Sequence, residues 1–139
     1  MALPATELHT MTEADLKAEE MLCAAHQQSI QAKPAEMAAF SRSCSVKCTA
    51  YISGVADPKA VGKWAHGERM PRSESLCKLR GAYHIAVLIS MSDKLETAKA
   101  WFIGMNPVLD YRSPAWVIAT KPDGSKQAMD AALAFISYG

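Results

Sequence analysis

The sequence predicts an all-α protein. Three observations carry that reading. Helix caps and stops recur along the whole chain, apolar residues between them follow a three-to-four spacing, and no segment alternates with the period of two that a strand needs. Of the 139 residues 50% are hydrophobic, enough to offset the entropy of ordering a core and to exclude a wholly disordered chain. That length suits one compact unit or two small ones sharing a core. The longest apolar run, Ile85 to Met91, falls far short of the roughly 20 residues a membrane span requires. Met1 to His9 has neither the basic flank nor the apolar stretch of a secretory signal, so the chain is expected to be soluble and cytoplasmic.

The elements follow in order. Thr12 caps a helix that carries Leu16, Met21, Leu22 and Ala25 and reaches about Ile30. Pro34 restarts a helix with Met37, Phe40 and Cys44 at i, i+3 and i+7. A short helix from Val46 to Ser53 breaks at Gly54. Asp57 then serves as an N-cap with Pro58 at the first helical position, and Gly67 is placed to close the helix. In that helix Val61 and Trp64 face the core, which turns Lys59, Gly62, Lys63 and His66 outward. Pro71 closes the next turn, and Glu74 to Met91 forms a long helix apolar on more than one side. Ser92-Asp93 is expected to cap a helix from Lys94 to about Ile103, ended by Gly104, Met105 to Leu109 is a turn, and Ser113-Pro114 opens a helix through Thr120. After the turn Lys121 to Gly124, Ser125 is expected to cap a last helix.

Charge is unevenly spread. The net charge is only +1, yet residues 41–82 hold eight Lys or Arg against Asp57, Glu68 and Glu74, while residues 1–40 are acidic. A basic middle third is what a nucleic-acid reader needs, and it is equally what a solvated face looks like. A short helix, a tight turn and a Pro-started helix with basic outward positions form a helix-turn-helix arrangement, in which the second helix enters the major groove and flanking Lys and Arg grip phosphates. The candidate DNA contacts are Lys59, Gly62, Lys63, His66, Arg69 and Arg72. That helix lacks Arg, Asn and Gln, which argues against rich direct base readout. The same geometry also serves for packing alone.

Other chemistry is thinly represented. Cys44 and Cys48 lie four apart, and His26, His66 and His84 could join them, but no second close pair completes a zinc pattern. Buried reduced thiols are the expectation for Cys23, Cys44, Cys48 and Cys77. No metal site and no cofactor is expected. There is no glycine-rich phosphate loop and no paired nucleophile and base, so the chain is not expected to be an enzyme. His9 and His26 read as surface residues, and His84 as a partly buried helix histidine rather than a general base.

Two stretches resemble a known family. Thr49 to Val55 and Ala60 to Pro71, with Trp64, Gly67 and Pro71 at the spacing Trp-two-Gly-three-Pro, resemble the Xre-type module of bacterial Xre/MbcA/ParS antitoxins. Ala100 to Leu109 followed by Ser113-Pro114-Ala115 resembles the toxin-binding domain of the same family, with its Trp-Phe, Asn-Pro-x-Leu and x-Pro-Ala elements. Ala128 to Tyr138 is similar to its closing segment, so the resemblance spans about residues 40–139. It implies a type II antitoxin that neutralises a RES-domain, NAD-consuming toxin and binds double-stranded operator DNA. It also implies toxin-binding positions at Trp101, Phe102, Asn106, Pro107, Trp116, Phe135, Tyr138 and Gly139, with the last segment obstructing the toxin's active site.

The expected organisation is a helical arm or extension over residues 1–39, an Xre-like helix-turn-helix domain over 40–90 and a toxin-binding domain over 91–139. A stand-alone regulator with the same domains is the alternative. Trp101, Phe102 and Trp116 equally suit a core, and the rings of Phe135 and Tyr138 could pack inward on Trp101 and Trp116. A homodimer is expected, both because such readers bind two half-sites and because one small domain could hardly cover the long apolar helix. No membrane partner is expected.

Overall fold

The helix after Pro71 is the axis on which the other elements are hung. The computed structural model describes residues 13–138, and their side chains except at 14, 15, 29, 30, 41–44, 95 and 138. The expectations for His9, Thr12, Cys44, the Tyr138 ring and Gly139 therefore lie outside the described residues. Within them the protein is all-α: α1 (Glu13–Gln31), α2 (Pro34–Cys44), α3 (Val46–Ser53), α4 (Lys59–Ala65), α5 (Ser73–Ser92), α6 (Leu95–Ile103), α7 (Pro114–Thr120) and α8 (Gly124–Tyr138), with a 3-10 turn at Pro107–Leu109. Among the described residues the only β-type pairing is an isolated antiparallel bridge between Asn106 and Arg112.

In α5, Leu79, Ala82, Tyr83 and the unbroken run Ile85 to Ile89 are buried. A helix that is apolar all round must be surrounded, and α1, α2, α3, α6, α7 and α8 all pack against it. The chain itself thus covers the helix, and the expectation that a second copy is needed to cover it is corrected. One buried cluster joins Ala25 and Met37 to Val61 and Trp64, and continues through Trp101, Ile118 and Ala132.

Local chemistry sets most boundaries. Ser45 Oγ accepts the Cys48 N–H at 3.2 Å to start α3, and Ser113 Oγ accepts the Trp116 N–H at 3.1 Å to start α7. At the end of α3, Gly54 takes φ +78°, and the Val55 N–H reaches back to the Ala50 carbonyl. At the end of α4, Gly67 takes φ +72° while Glu68 N–H bonds Lys63 O at 2.9 Å and Gly67 N–H bonds Trp64 O at 3.0 Å. That pair of bonds is a Schellman closure, which needs a left-handed residue and so selects glycine.

Four expectations change. Helix α6 begins at Leu95 with Lys94 at the cap position and no side-chain cap, although Asp93 Oδ1 accepts the Lys94 N–H at 2.7 Å, so Ser92-Asp93 does not cap it. Helix α4 begins at Lys59 rather than Pro58, although Pro58 already has helical dihedrals and Asp57 Oδ1 accepts the Lys59 N–H at 3.0 Å. Helix α8 begins at Gly124, so Ser125 lies inside its first turn instead of capping it. A Cβ at Gly124 would run into the Val117 backbone, so glycine lets the start of α8 lie directly against α7. Finally, Cys23 and Cys77 are exposed and Cys48 is half-buried, not buried thiols. Among the described residues of α1 the buried positions are Ala18 and Ala25, and Ala32, just past its end, continues the same heptad spacing, which leaves Cys23 outside that stripe. Cys77 likewise lies beyond the buried set of α5.

Candidate functional site

The α4 helix is fixed by its core side. Val61 is fully buried and Trp64 nearly so, and this orientation leaves Lys59, Lys63 and His66 exposed and Gly62 half-exposed. Lys59 and Lys63 are four residues apart, one turn along a single face. Arg69 and Arg72, in the segment leading to α5, are exposed as well. The six positions expected to meet DNA are thus all accessible, on α4 and the turn after it. Chemically this is a surface of long flexible cations around a helix that presents a bare backbone at Gly62.

A cleft of about 380 Å³ opens beside that surface, between the α3–α4 turn, the segment 69–72 and the first turn of α5. Arg69, Arg72 and Lys78 line it together with Asp57 and Glu74. Ser75 Oγ donates to the Ser53 carbonyl at 2.7 Å and so ties α5 to the end of α3. Lys78 lies 3.6 Å from Glu74 and donates to the Ala119 carbonyl at 2.9 Å. Ser53 and Lys78 were not singled out by sequence. Ser53 sits at a helix end like many serines, and only the fold brings α5 against it.

The positions expected to bind a toxin divide. Trp101, Asn106, Pro107 and Phe135 line one open groove of about 650 Å³, together with Met105 and Val108. Phe102 instead lines a small surface pocket with Cys48, Thr49 and Ile52 of α3, Ala82 and Ala86 of α5 and Lys99 of α6. Trp116 lies apart from both, with the Arg112 guanidinium 4.5 Å and the Lys121 ammonium 5.4 Å from its ring centre. Phe135 packs partly against the core beside Trp101, which is the inward arrangement left open for it.

Asn106 acts within the loop rather than as a free contact. Its Oδ1 accepts the Val108 N–H at 3.0 Å and its carbonyl accepts the N–H groups of Leu109 and Tyr111. Its own N–H donates to the Arg112 carbonyl at 3.2 Å. The turn so formed holds Asp110 and Tyr111 at φ +55° and +63°. A bulky residue in that left-handed region is uncommon, and such strain gathers where a loop has a shape to keep. The loop and its approach also expose Ile103 (61%), Met105 (80%), Val108 (59%) and Tyr111. The sequence reads Met105 to Leu109 as a turn and places only Asn106 and Pro107 of it at the toxin, not Met105 or Val108. The missed signal is that two large apolar residues flank Asn106-Pro107, where turn residues are ordinarily polar.

His26 of α1 and His84 of α5 bring their ring centres within 5.5 Å. Burial lowers the His84 pKa below 6.5 and the neighbouring His26 lowers it further, against the raising effect of a bond to the Leu22 backbone. Among the described residues no three of His, Cys, Asp and Glu gather as a metal site requires. No described helix is long and apolar enough to cross a membrane. Compared with protein-family models, with curated proteins and with solved structures, the chain finds no match in any of the three.

Proposed function

We propose that the protein is a type II antitoxin that binds and neutralises a RES-type, NAD-consuming toxin and binds operator DNA to regulate its own operon. One observation carries this reading. A single core presents two separate exposed surfaces of opposite chemistry, the cations Lys59, Lys63, Arg69 and Arg72 around α4 and the apolar groove of Trp101, Met105, Val108 and Phe135. Phosphate backbones call for the first, and a protein partner with an apolar anchor for the second. Asn106-Pro107 and Ser113-Pro114, two of the motifs behind the family resemblance, build the loop and the helix start beside the groove. In this proposal α3 and α4 form the helix-turn-helix and the chain works as a homodimer in the bacterial cytoplasm.

The test has two arms. Cells expressing a RES-domain toxin encoded beside this gene should keep their NAD when this chain is co-expressed and lose it otherwise. The purified protein should run as a dimer by light scattering and bind duplex DNA from its own promoter. Protection without DNA binding would remove the regulatory half. DNA binding with no protection would leave a stand-alone regulator.

A further inference from the structure

Four of the nine large apolar side chains that stand exposed among the described residues fall in one short stretch, Ile103, Met105, Val108 and Tyr111. Connecting loops are ordinarily polar, so such a cluster marks a surface that a partner covers. The loop is held in one shape. Asn106 takes up the N–H groups of Val108, Leu109 and Tyr111, and the backbone is left-handed at Asp110 and Tyr111. A loop already fixed in this way loses little entropy when a partner arrives. The groove behind it, about 650 Å³, is lined by no charged side chain.

The charge lies at the groove's edge. Asn106 lines the groove and donates its N–H to the Arg112 carbonyl at 3.2 Å, which sets Arg112 across one backbone bridge from the groove wall. The Arg112 guanidinium lies 4.5 Å from the centre of the Trp116 ring, and the Lys121 ammonium 5.4 Å from it. Both cations are exposed, and neither forms an ion pair with a described carboxylate, Asp110 included. Two like charges gathered on one indole thus lack a counter-charge. The ring also holds both side chains in place, which lowers the entropy cost of their meeting a carboxylate. Tyr, Arg and Trp carry much of the binding energy of protein interfaces, and here they stand at 111, 112 and 116.

We infer that the groove and the Arg112–Trp116–Lys121 cluster form one docking surface for an acidic amphipathic segment of a partner protein. An apolar anchor of that segment enters between Met105, Val108 and Phe135, and Asp or Glu side chains beside the anchor pair with Arg112 and Lys121. An apolar face laid in a groove with complementary charge at its rim is an ordinary mode of peptide recognition. A nucleic acid would meet the two cations and leave the apolar groove bare, so a protein segment fits the whole surface better. The inference rests on the groove being the partner contact proposed above, and adds the chemistry of the segment that enters it.

A displayed library of random peptides, selected on the full chain, supplies the probe without any toxin. Binders should be enriched in Asp and Glu beside a large apolar residue. The chain labelled with nitrogen-15 gives three indole N–H signals, from Trp64, Trp101 and Trp116, and a selected peptide should shift Trp101 and Trp116 but not Trp64. The double variant Arg112→Glu, Lys121→Glu should weaken binding by about tenfold or more, since charge-assisted hydrogen bonds are lost. The same library selected on that variant should turn to Lys and Arg. Met105→Glu should abolish binding, and Lys63→Ala on α4 should change nothing. All four positions are exposed, so the fold survives, and an unmoved Trp64 signal checks it. The proposal is overturned if no binder emerges, if binders show no acidic bias, or if the double variant binds as the parent does. A Trp64 shift in place of Trp101 would put the peptide on α4 and equally overturn it. So would a Trp101 shift on dilution of the chain alone, which makes a second copy the occupant, or duplex DNA that moves Trp116 as the peptide does. Peptide binding without protection of NAD would keep the docking surface and remove the RES-domain toxin as its partner. Protection without peptide binding would do the reverse.

Discussion

Gly81 of α5 sits so close to Ser125 of α8 that a Cβ added at position 81 would overlap the Ser125 side chain. The two longest elements of the core's second half meet at this point, where glycine supplies the missing volume. In a helix interior glycine costs about 1 kcal/mol relative to alanine, so a packing reason must outweigh it.

Gly81→Ala should therefore destabilise the protein despite its better helix propensity. The overlap involves the short, fixed Cβ of Ser125 as well as its hydroxyl, so α8 has to shift. A net loss of about 1–2 kcal/mol is expected from overpacking less the propensity gain. Adding Ser125→Gly should restore stability close to that of the parent. Thermal denaturation of the two single variants and the double variant checks it. Additive losses would mean that the contact does not limit packing.

The contrast between Gly81 and Gly67 explains what could be read from sequence. Gly67 follows a short capped helix, so its φ of +72° is announced by its neighbours. Gly81 lies inside a strong helical pattern and its partner is 44 positions away, so no local signal exists. The same division runs through the protein. Caps such as Ser113 and stops such as Gly54 are local chemistry, and the helices they bound were legible. That α5 is enclosed by six other helices is a long-range fact, so its apolar pattern alone cannot tell cover by the same chain from cover by a second copy. At the candidate sites, Lys59 and Lys63 followed from the period of α4. That Trp101 and Phe102 are both buried, with ring centres 5.2 Å apart in an edge-to-face contact, did not, because adjacent helical residues diverge by about 100° and only the tertiary fold covers both.

If Lys59, Lys63, Arg69 and Arg72 contact phosphates, promoter binding should weaken steeply with salt. Each contact contributes about 0.9 to the slope of log K against log salt. Lys63→Ala should flatten that slope by about one contact, and since Lys63 is exposed the fold should be untouched. Fluorescence anisotropy over a salt series provides the measurement. A slope that Lys63→Ala leaves unchanged would take α4 off the DNA.

His84 gives the protein a pH dependence of known sign. Its folded pKa lies below the ordinary value of 6.5, so the unfolded chain takes up a proton first as the pH falls. Stability is then lost from about pH 6.5 downward, until the folded pKa is passed. The melting temperature should drop between pH 7.5 and 5.5, and His84→Gln should reduce that drop. An unaltered drop would assign the acid sensitivity to other groups.

The groove and the terminal segment offer two distinct ways to silence a toxin, and the structure supplies variants that separate them. Phe135 belongs partly to the core beside Trp101, so a truncation that removes it would damage the fold along with any plug. Removing only residues 137–139 leaves Phe135 in place and deletes Tyr138 and Gly139. Met105 is 80% exposed, so Met105→Glu puts a charge into the groove mouth at almost no folding cost. An apolar anchor that must desolvate against a buried carboxylate loses several kcal/mol, since an unpaired charge is then left in the interface. If the groove is the toxin contact, Met105→Glu should abolish protection and NAD should fall, while the unchanged melting temperature shows that the fold survived. If the terminal segment plugs the toxin, the truncation should instead leave a complex that still forms but no longer protects. Co-purification with the toxin, scored alongside NAD level, reads both outcomes. Full protection by both variants would move the contact to the Trp116 surface with its Arg112 and Lys121.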